Sequence, residues 1–300
     1  MTVTTGIRLA AAEWRERELA HQERADSLTS GWRSRAQAGV GGGRLAHPVD
    51  DFLFTYYPYR PALLRRWHPG AGVALADAEN EPRADWNWYL TEAATVRVNS
   101  DGFRAAKADR IRPIMMLLRG TLGRAANFGC LGLHEWAMVY RAPEARHEVP
   151  LRLGATGTDA VVESHNIGCS HFDAFRFFTP EAVSRNRLSP SRENQPVMEQ
   201  PGCLHAGMDL YKWSAKLGPL VPGELLLDTF ELARDIRELD MQASPYDLAE
   251  WGYEPVRIET TEGKTEYVRR QRVFTERANT LRVRLLDVVK GNAVRPTLVD

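Results

Sequence analysis

The last hundred residues constrain the fold most. Apolar side chains recur at helical spacing from Cys203 to Leu217 and again from Gly223 to Met241. Gly218-Pro219 stops the first run, and Ser244-Pro245 stops the second. Thr265 to Lys290 reads as a long, charged terminal helix. Upstream, Pro113 to Leu122 and Leu131 to Tyr140 read as buried helices, with Gly129 and Gly132 allowing close packing. A chain so dominated by the 3.6-residue period is expected to be mostly α.

Residues 8–38, rich in Ala, Glu and Arg, read as a polar helical arm or packing helix. Gly39-Val-Gly-Gly-Gly43 follows as a flexible hinge. It is no phosphate loop, because no strand precedes it and no Gly-Lys-Ser/Thr follows. Phe52 to Tyr57 reads as an aromatic helical segment, broken by Pro58 and Pro61 and resumed from Leu63 to Trp67. Thr95 to Val98 and Pro255 to Ile258 read as short strands, and residues 185–202 as a polar loop. Leu151-Arg-Leu153, Ala160-Val-Val162 and Phe175-Arg-Phe177 place a small β insert at about residues 149–178. The expectation is a 1–45 helical arm with its hinge, then one main helical domain over 46–300.

Composition removes several functional classes. Lys+Arg and Asp+Glu both total 39, so bulk charge gives no grip on nucleic acid. A nucleic-acid surface would have to be local, and residues 104–124 and 185–192 are the basic stretches. No run approaches the roughly 18 apolar residues of a membrane span. The start of the sequence lacks the pattern of a secretory signal. Cys130, Cys169 and Cys203 form no Cys-x-x-Cys motif, so reduced thiols in a cytoplasmic protein are expected. Gly-x-Ser-x-Gly, Gly-x-Gly-x-x-Gly and zinc-finger spacings are absent.

The candidate chemistry lies in four histidines between residues 134 and 205, each near a polar or acidic neighbour in apolar sequence. They occur in His134-Glu135-Trp136, His165-Asn166, His171-Phe172-Asp173 and His205-Ala-Gly-Met-Asp209. Imidazole and carboxylate together suit proton transfer or a metal site. His205 and Asp209, four apart, share a helix face as a catalytic dyad or a structural ion pair. On a strand, His171 and Asp173 would share a face. His134, His165, His171 and His205 are therefore the candidate metal ligands, for iron or zinc. His134-Glu135 fails the zinc-protease motif, because position 138 is Met. Asp228, Glu231, Asp235 and Glu238 form an acidic stripe that either faces water or lines a cavity. A buried histidine network with no catalysis, in a helical binding protein, is the structural alternative.

The ordered segments His47-Pro-Val-Asp-Asp-Phe-Leu-Phe-Thr-Tyr-Tyr57, Arg65-Arg-Trp-His-Pro-Gly70, Leu133-His-Glu-Trp-Ala-Met-Val-Tyr-Arg141, His171-Phe-Asp-Ala-Phe-Arg-Phe-Phe178, Glu199-Gln-Pro-Gly-Cys-Leu-His205 and Arg237-Glu-Leu-Asp-Met-Gln-Ala-Ser-Pro-Tyr-Asp247 carry a resemblance. Over about residues 45–285 the chain resembles an actinobacterial family commonly labelled 3-methyladenine DNA glycosylase. That label implies hydrolysis of the N-glycosidic bond of an alkylated purine in DNA, with no cofactor required. Such chemistry needs a stacking pocket and an acid. Tyr56, Tyr57 and Trp136 would stack the base, and Arg185 and Arg187 would hold phosphates. Asp173, Asp209 or Glu135 would supply the acid, with His171 and His205 orienting water or substrate. The chain departs from the better-known glycosylase classes, having no Leu-Pro-Gly-Val-Gly hairpin and no cysteine/histidine zinc pattern. The second expectation is a His/carboxylate metal enzyme acting on a small molecule, either a non-haem iron oxygenase or a metallohydrolase.

Overall fold

The computed structural model describes residues 7–38, 47–142 and 149–291. Helix takes up 59% of it and strand 7%, so the molecule is mostly α with a small sheet. The long N-terminal pattern resolves into α1 (Ala11–Leu28) and α2 (Ser30–Gln37). The aromatic segment gives two short helices, α3 (Phe52–Tyr56) and α4 (Pro61–Arg65). After the sheet come α5 (Ser100–Ala106), α6 (Ala108–Leu122) and α7 (Leu133–Ala137). Then follow α8 (Gly154–Glu163), α9 (Phe172–Phe175), α10 (Pro180–Val183) and α11 (Gln195–Met198). The centre of the molecule is built from α12 (Leu204–Leu217), α13 (Gly223–Gln242) and α14 (Thr261–Lys290).

The sheet does not lie at 149–178. Its strands are β1 (Ile7–Leu9), β2 (Val73–Ala76), β3 (Tyr89–Glu92) and β4 (Thr95–Val98), in the order β1-β2-β4-β3. β1 runs parallel to β2, with Ile7 opposite Val73, and the other pairings are antiparallel. Residues 154–163 are helical because Thr158, Val161 and Val162, at spacings of three and four, bury one face. That burial outweighs the strand preference of the valines. Leu151 and Ile167 keep only isolated bridges, to Tyr246 and Asn186. Pro255 to Ile258 forms no strand.

α12 and α13 pack against each other more extensively than any other pair of described elements. Gly218 ends α12 at φ +56, a conformation that side chains with a Cβ resist. Pro219 then breaks the backbone ladder, and α13 returns along α12. Where the two helices cross, a Cβ at Gly207 would come within 2.9 Å of the Ile236 Cδ1 methyl, so the missing side chain permits the approach. α14 lies across both. Its first turn is capped by the Thr260 hydroxyl, which accepts from the Gly263 amide, and Gly291 closes it at φ +87.

The described part of the N-terminal arm is docked on the main body. The Trp14 indole donates to the Ala76 carbonyl, and His21 meets the Leu64 carbonyl. Arg17 pairs with Glu224, and Arg24 pairs with Asp228 and Glu231. Those last two acids belong to the stripe seen in the sequence. Asp228 also meets Arg284 and Asp235 meets Arg277, so three of the four stripe acids pair with arginines of α1 and α14. The Gly39–Gly43 hinge lies outside the described residues. No helix among the described residues is long and apolar enough to cross a membrane.

Candidate functional site

Three of the four histidines meet. His134 sits on α7, His171 precedes α9, and His205 opens α12. The His134 and His205 rings are edge to face at 4.5 Å, and the His171 and His205 rings stack at 5.2 Å. All three are buried. His165 is elsewhere, just past the end of α8, with Nδ1 bonded to the Val161 carbonyl of that helix.

Carboxylates complete two adjacent sets. In the first, the donor atoms of His134, His205 and Asp240 all lie within 4.8 Å of one another. In the second, those of His171, Glu199 and Asp209 do the same. His134 Nε2 stands 2.9 Å from Asp240 Oδ1. His171 Nε2 stands 3.5 Å from Glu199 Oε1 and 3.4 Å from Asp209 Oδ2. These are close approaches without hydrogen-bond alignment. His134 Nε2, both ring nitrogens of His171 and Asp240 Oδ1 are buried with no aligned hydrogen-bond partner. Buried polar atoms rarely stay in that condition, which points to a missing partner.

Neighbouring groups hold the acids in place. The Tyr57 hydroxyl donates to Asp209 Oδ1 at 2.8 Å. The Lys212 ammonium lies 2.5 Å from Asp209 Oδ2 and 3.2 Å from Asp173 Oδ2. Arg237 Nη1 bonds Glu135 at 2.8 Å and Asp240 at 3.2 Å. The Gln195 amide donates to Glu199 Oε1 at 2.5 Å. The Cys130 sulfur lies 3.7 Å from His134 Nδ1, which leaves Nε2 to face Asp240.

The electrostatics follow from this packing. Burial disfavours the charged form of His134, but the Asp240 carboxylate outweighs it and raises the imidazole pKa. Burial also opposes ionisation of Asp209. Lys212 and His171 outweigh it and hold the carboxyl well below its usual range. His205 is pushed down by burial and then by the neighbouring His134, so it stays neutral with a lone pair to offer. Glu199 is pushed up, mainly by burial.

Two cavities meet at His205. The larger, about 350 Å³, is walled by Phe52, Tyr56, Met138 and Phe177, with Glu135, Asp173, Arg176 and Arg237 around it. Phe52 and Tyr56 stack at 5.0 Å with their planes 12° apart. Arg237 lies 3.8 Å over the Phe52 ring and Arg176 4.3 Å over that of Phe177. The smaller cavity has room for about one water. It reaches His134 and His205 past Cys130, Cys169 and Cys203.

No family model, curated protein or solved structure matches the chain. The site is therefore read from its own chemistry.

Some candidate residues stand where the sequence put them, and others do not. Tyr56 lines the recess and Asp173 sits at its edge. Asp209 turns to His171, Lys212 and Tyr57, and does not pair with His205 as a dyad. His171 and Asp173 do not share a strand face. Residues 172–175 are a helical turn, and Asp173 faces Lys212 and Arg176. Tyr57 is fully buried, its hydroxyl spent on Asp209 and its ring edge-on to Tyr211. Trp136 is a core residue whose indole donates to the Ala243 carbonyl. Glu135 is tied to Arg237. Arg185 bonds the Tyr140 hydroxyl, and Arg187 is exposed. Of the 104–124 arginines, Arg104 and Arg124 bond backbone carbonyls within the protein.

Glu199 and Asp240 escaped the reading of the sequence. Asp240 had a usable signal, since it falls on the apolar face of α13 with Leu232, Ala233, Ile236 and Leu239. An acid on such a face needs a buried partner. Glu199 lies between α11 and α12, where no periodicity marks it.

Proposed function

We propose that this protein is a metal-dependent enzyme that acts on a small organic molecule bound in the aromatic recess. His134, His205 and Asp240 would hold the ion. The single observation that carries the reading is the 2.9 Å approach of His134 Nε2 to Asp240 Oδ1 without hydrogen-bond alignment. Two donors about 2.1 Å from one ion at right angles are separated by ~3.0 Å, close to this spacing, and the poor hydrogen-bond alignment favours a shared cation over a simple ion pair. The neutral His205 completes the set. His/carboxylate donors without thiolate suit iron, manganese or zinc. A bound ion of this kind supplies Lewis acidity and an acidified water. The chain itself would position substrate between Phe52, Tyr56 and Phe177, and His205 would join the recess to the centre.

The test is elemental analysis of protein purified without chelator, followed by reconstitution of metal-free protein with iron, manganese or zinc. Stoichiometric metal that is lost in Asp240→Asn and His205→Ala is expected. Trace metal under every condition would remove the reading.

The same recess favours a second reading, an N-glycosylase for alkylated purines in DNA. The specific observation is an aromatic wall wide enough for one base, with Asp173 at its edge. Incubation with duplex carrying 3-methyladenine or 7-methylguanine checks it. Release of free base, with binding that weakens as salt rises, is the expected result.

A further inference from the structure

We propose that a second ion sits beside the first, in the set made by His171, Glu199 and Asp209, and that the two form a dinuclear centre. The inference rests on the metal-enzyme reading and extends it.

The second set repeats the features of the first with different residues. Its donor atoms lie within 4.8 Å of one another. The His171 Nε2 separations from Glu199 Oε1 and Asp209 Oδ2 are 3.5 and 3.4 Å. Those are too long for good hydrogen bonds. They match the ~3.4 Å edge of a tetrahedron with bonds of about 2.1 Å. Both ring nitrogens of His171 are buried with no aligned partner.

Outer contacts hold each acid of this set. Tyr57 binds Asp209 through Oδ1, and Oδ2 faces both His171 and the Lys212 ammonium. The Gln195 amide donates to Glu199 Oε1, the oxygen that faces His171. Such outer hydrogen bonds orient ligands at metal centres.

Helix geometry makes the two sets neighbours. His205 belongs to the first and Asp209 to the second, four residues apart on α12. Four residues of helix rise ~6 Å and return to the same face. Ions held by these two side chains are therefore a few ångströms apart, the spacing at which two metals share one reacting molecule. The stacked rings of His171 and His205 place the sets in contact as well.

The charge balance agrees. Glu135, Glu199, Asp209 and Asp240 are buried. Lys212, Arg237 and Arg282 are the fixed cations beside them. Four acids face three fixed cations, and unmatched buried charge is costly. Lys212 is the competing explanation for Asp209, since its ammonium already touches that carboxylate. It makes no ion pair with Glu199 among the described residues, and the hydrogen bond to that acid comes from the neutral Gln195 amide.

The experiment uses the full chain, stripped of metal and titrated separately with Mn(II), with Zn(II), and with Fe(II) under nitrogen. Bound metal is counted after removal of free ion, and the Mn(II) form is examined by electron paramagnetic resonance. Two ions per chain with at least one of these metals, and a spin-coupled manganese spectrum, are expected. Glu199→Gln, with unchanged circular dichroism, is expected to hold one ion and give an uncoupled six-line spectrum. A maximum of one ion per chain with all three metals overturns the dinuclear inference and leaves the single-ion reading standing. No bound metal overturns both. Two ions that persist in folded Glu199→Gln also overturn it, because they would lie elsewhere. If Glu199→Gln does not fold, the wild-type count and spectrum decide alone.

Discussion

His68 shows how one enclosed ring can set acid stability. Its Nδ1 meets the Tyr89 hydroxyl at 2.7 Å. Burial, with Arg66 and Arg83 nearby, pushes its pKa down to about 3 from the usual 6.5. The unfolded chain therefore binds a proton that the folded chain refuses. Stability is fully present above pH 6.5 and is lost as pH falls toward 3. One such group contributes a slope of at most about 1.4 kcal/mol per pH unit. Urea unfolding of wild type and His68→Gln at pH 7, 6, 5 and 4 should show the wild type losing stability faster. Parallel curves would refute the assignment. Arg237 makes a different demand, because Glu135 and Asp240 both depend on it inside the protein. Arg237→Gln should cost about 3–5 kcal/mol in chemical unfolding of the metal-free protein, since two acids are left without their cation. A loss below 1 kcal/mol, on the order of a surface pair, would mean that the pair is unimportant. Single residues were only partly legible beforehand. Histidines are rare and draw the eye, so three of the four candidates belong to the cluster. Asp240 hid among nearby acids of α13, three of which pair with partly exposed arginines.

At the scale of elements, stop signals were the most readable feature. Gly218-Pro219 and Ser244-Pro245 bound α12 and α13 within a residue or two of their expected ends. α14 begins at Thr261, four residues before the expected Thr265, and Gly263 lies within that first turn. Gly263 is in fact required there. A Cβ at that position would stand 1.9 Å from the Arg257 carbonyl oxygen, and backbone cannot step aside. Gly263→Ala should lower stability by about 1–3 kcal/mol or more, measured by urea midpoint at constant slope. A neutral substitution would mean that the segment before α14 is free to move. The sheet was misplaced too. Short strands announce themselves through pairing partners, and β1 and β2 pair across most of the arm and the aromatic helices. Nothing local to either strand reveals the other. The valines of α8, by contrast, carried a local strand preference that packing overruled.

For the molecule as a whole, the two ligand sets join α7, the turn before α9, the segment before α12, and α12 and α13. An ion bound there can bind only the folded chain. At a free concentration 100 times its Kd it should add about 2.7 kcal/mol per site to unfolding. Thermal unfolding in the presence of the preferred metal should therefore rise with concentration, and a chelator should reverse the rise. A midpoint indifferent to both would argue that the histidines and acids pair only with one another. That distinction could not be drawn from sequence, because it depends on the angles at which His134 and Asp240 meet and not on their identities.

The parallel ladder between Ile7–Leu9 and Val73–Leu75 has a consequence for how the protein is made. As ribosomes deliver the chain in order, the earlier strand emerges long before the later one, and until then its amides have only water to bond. α1 can coil at once, yet the floor it rests on, including the Ala76 carbonyl that receives the Trp14 indole, arrives only with β2. Release of nascent chains at increasing lengths, probed by brief proteolysis, should find this end vulnerable until roughly the first hundred residues are clear of the exit tunnel.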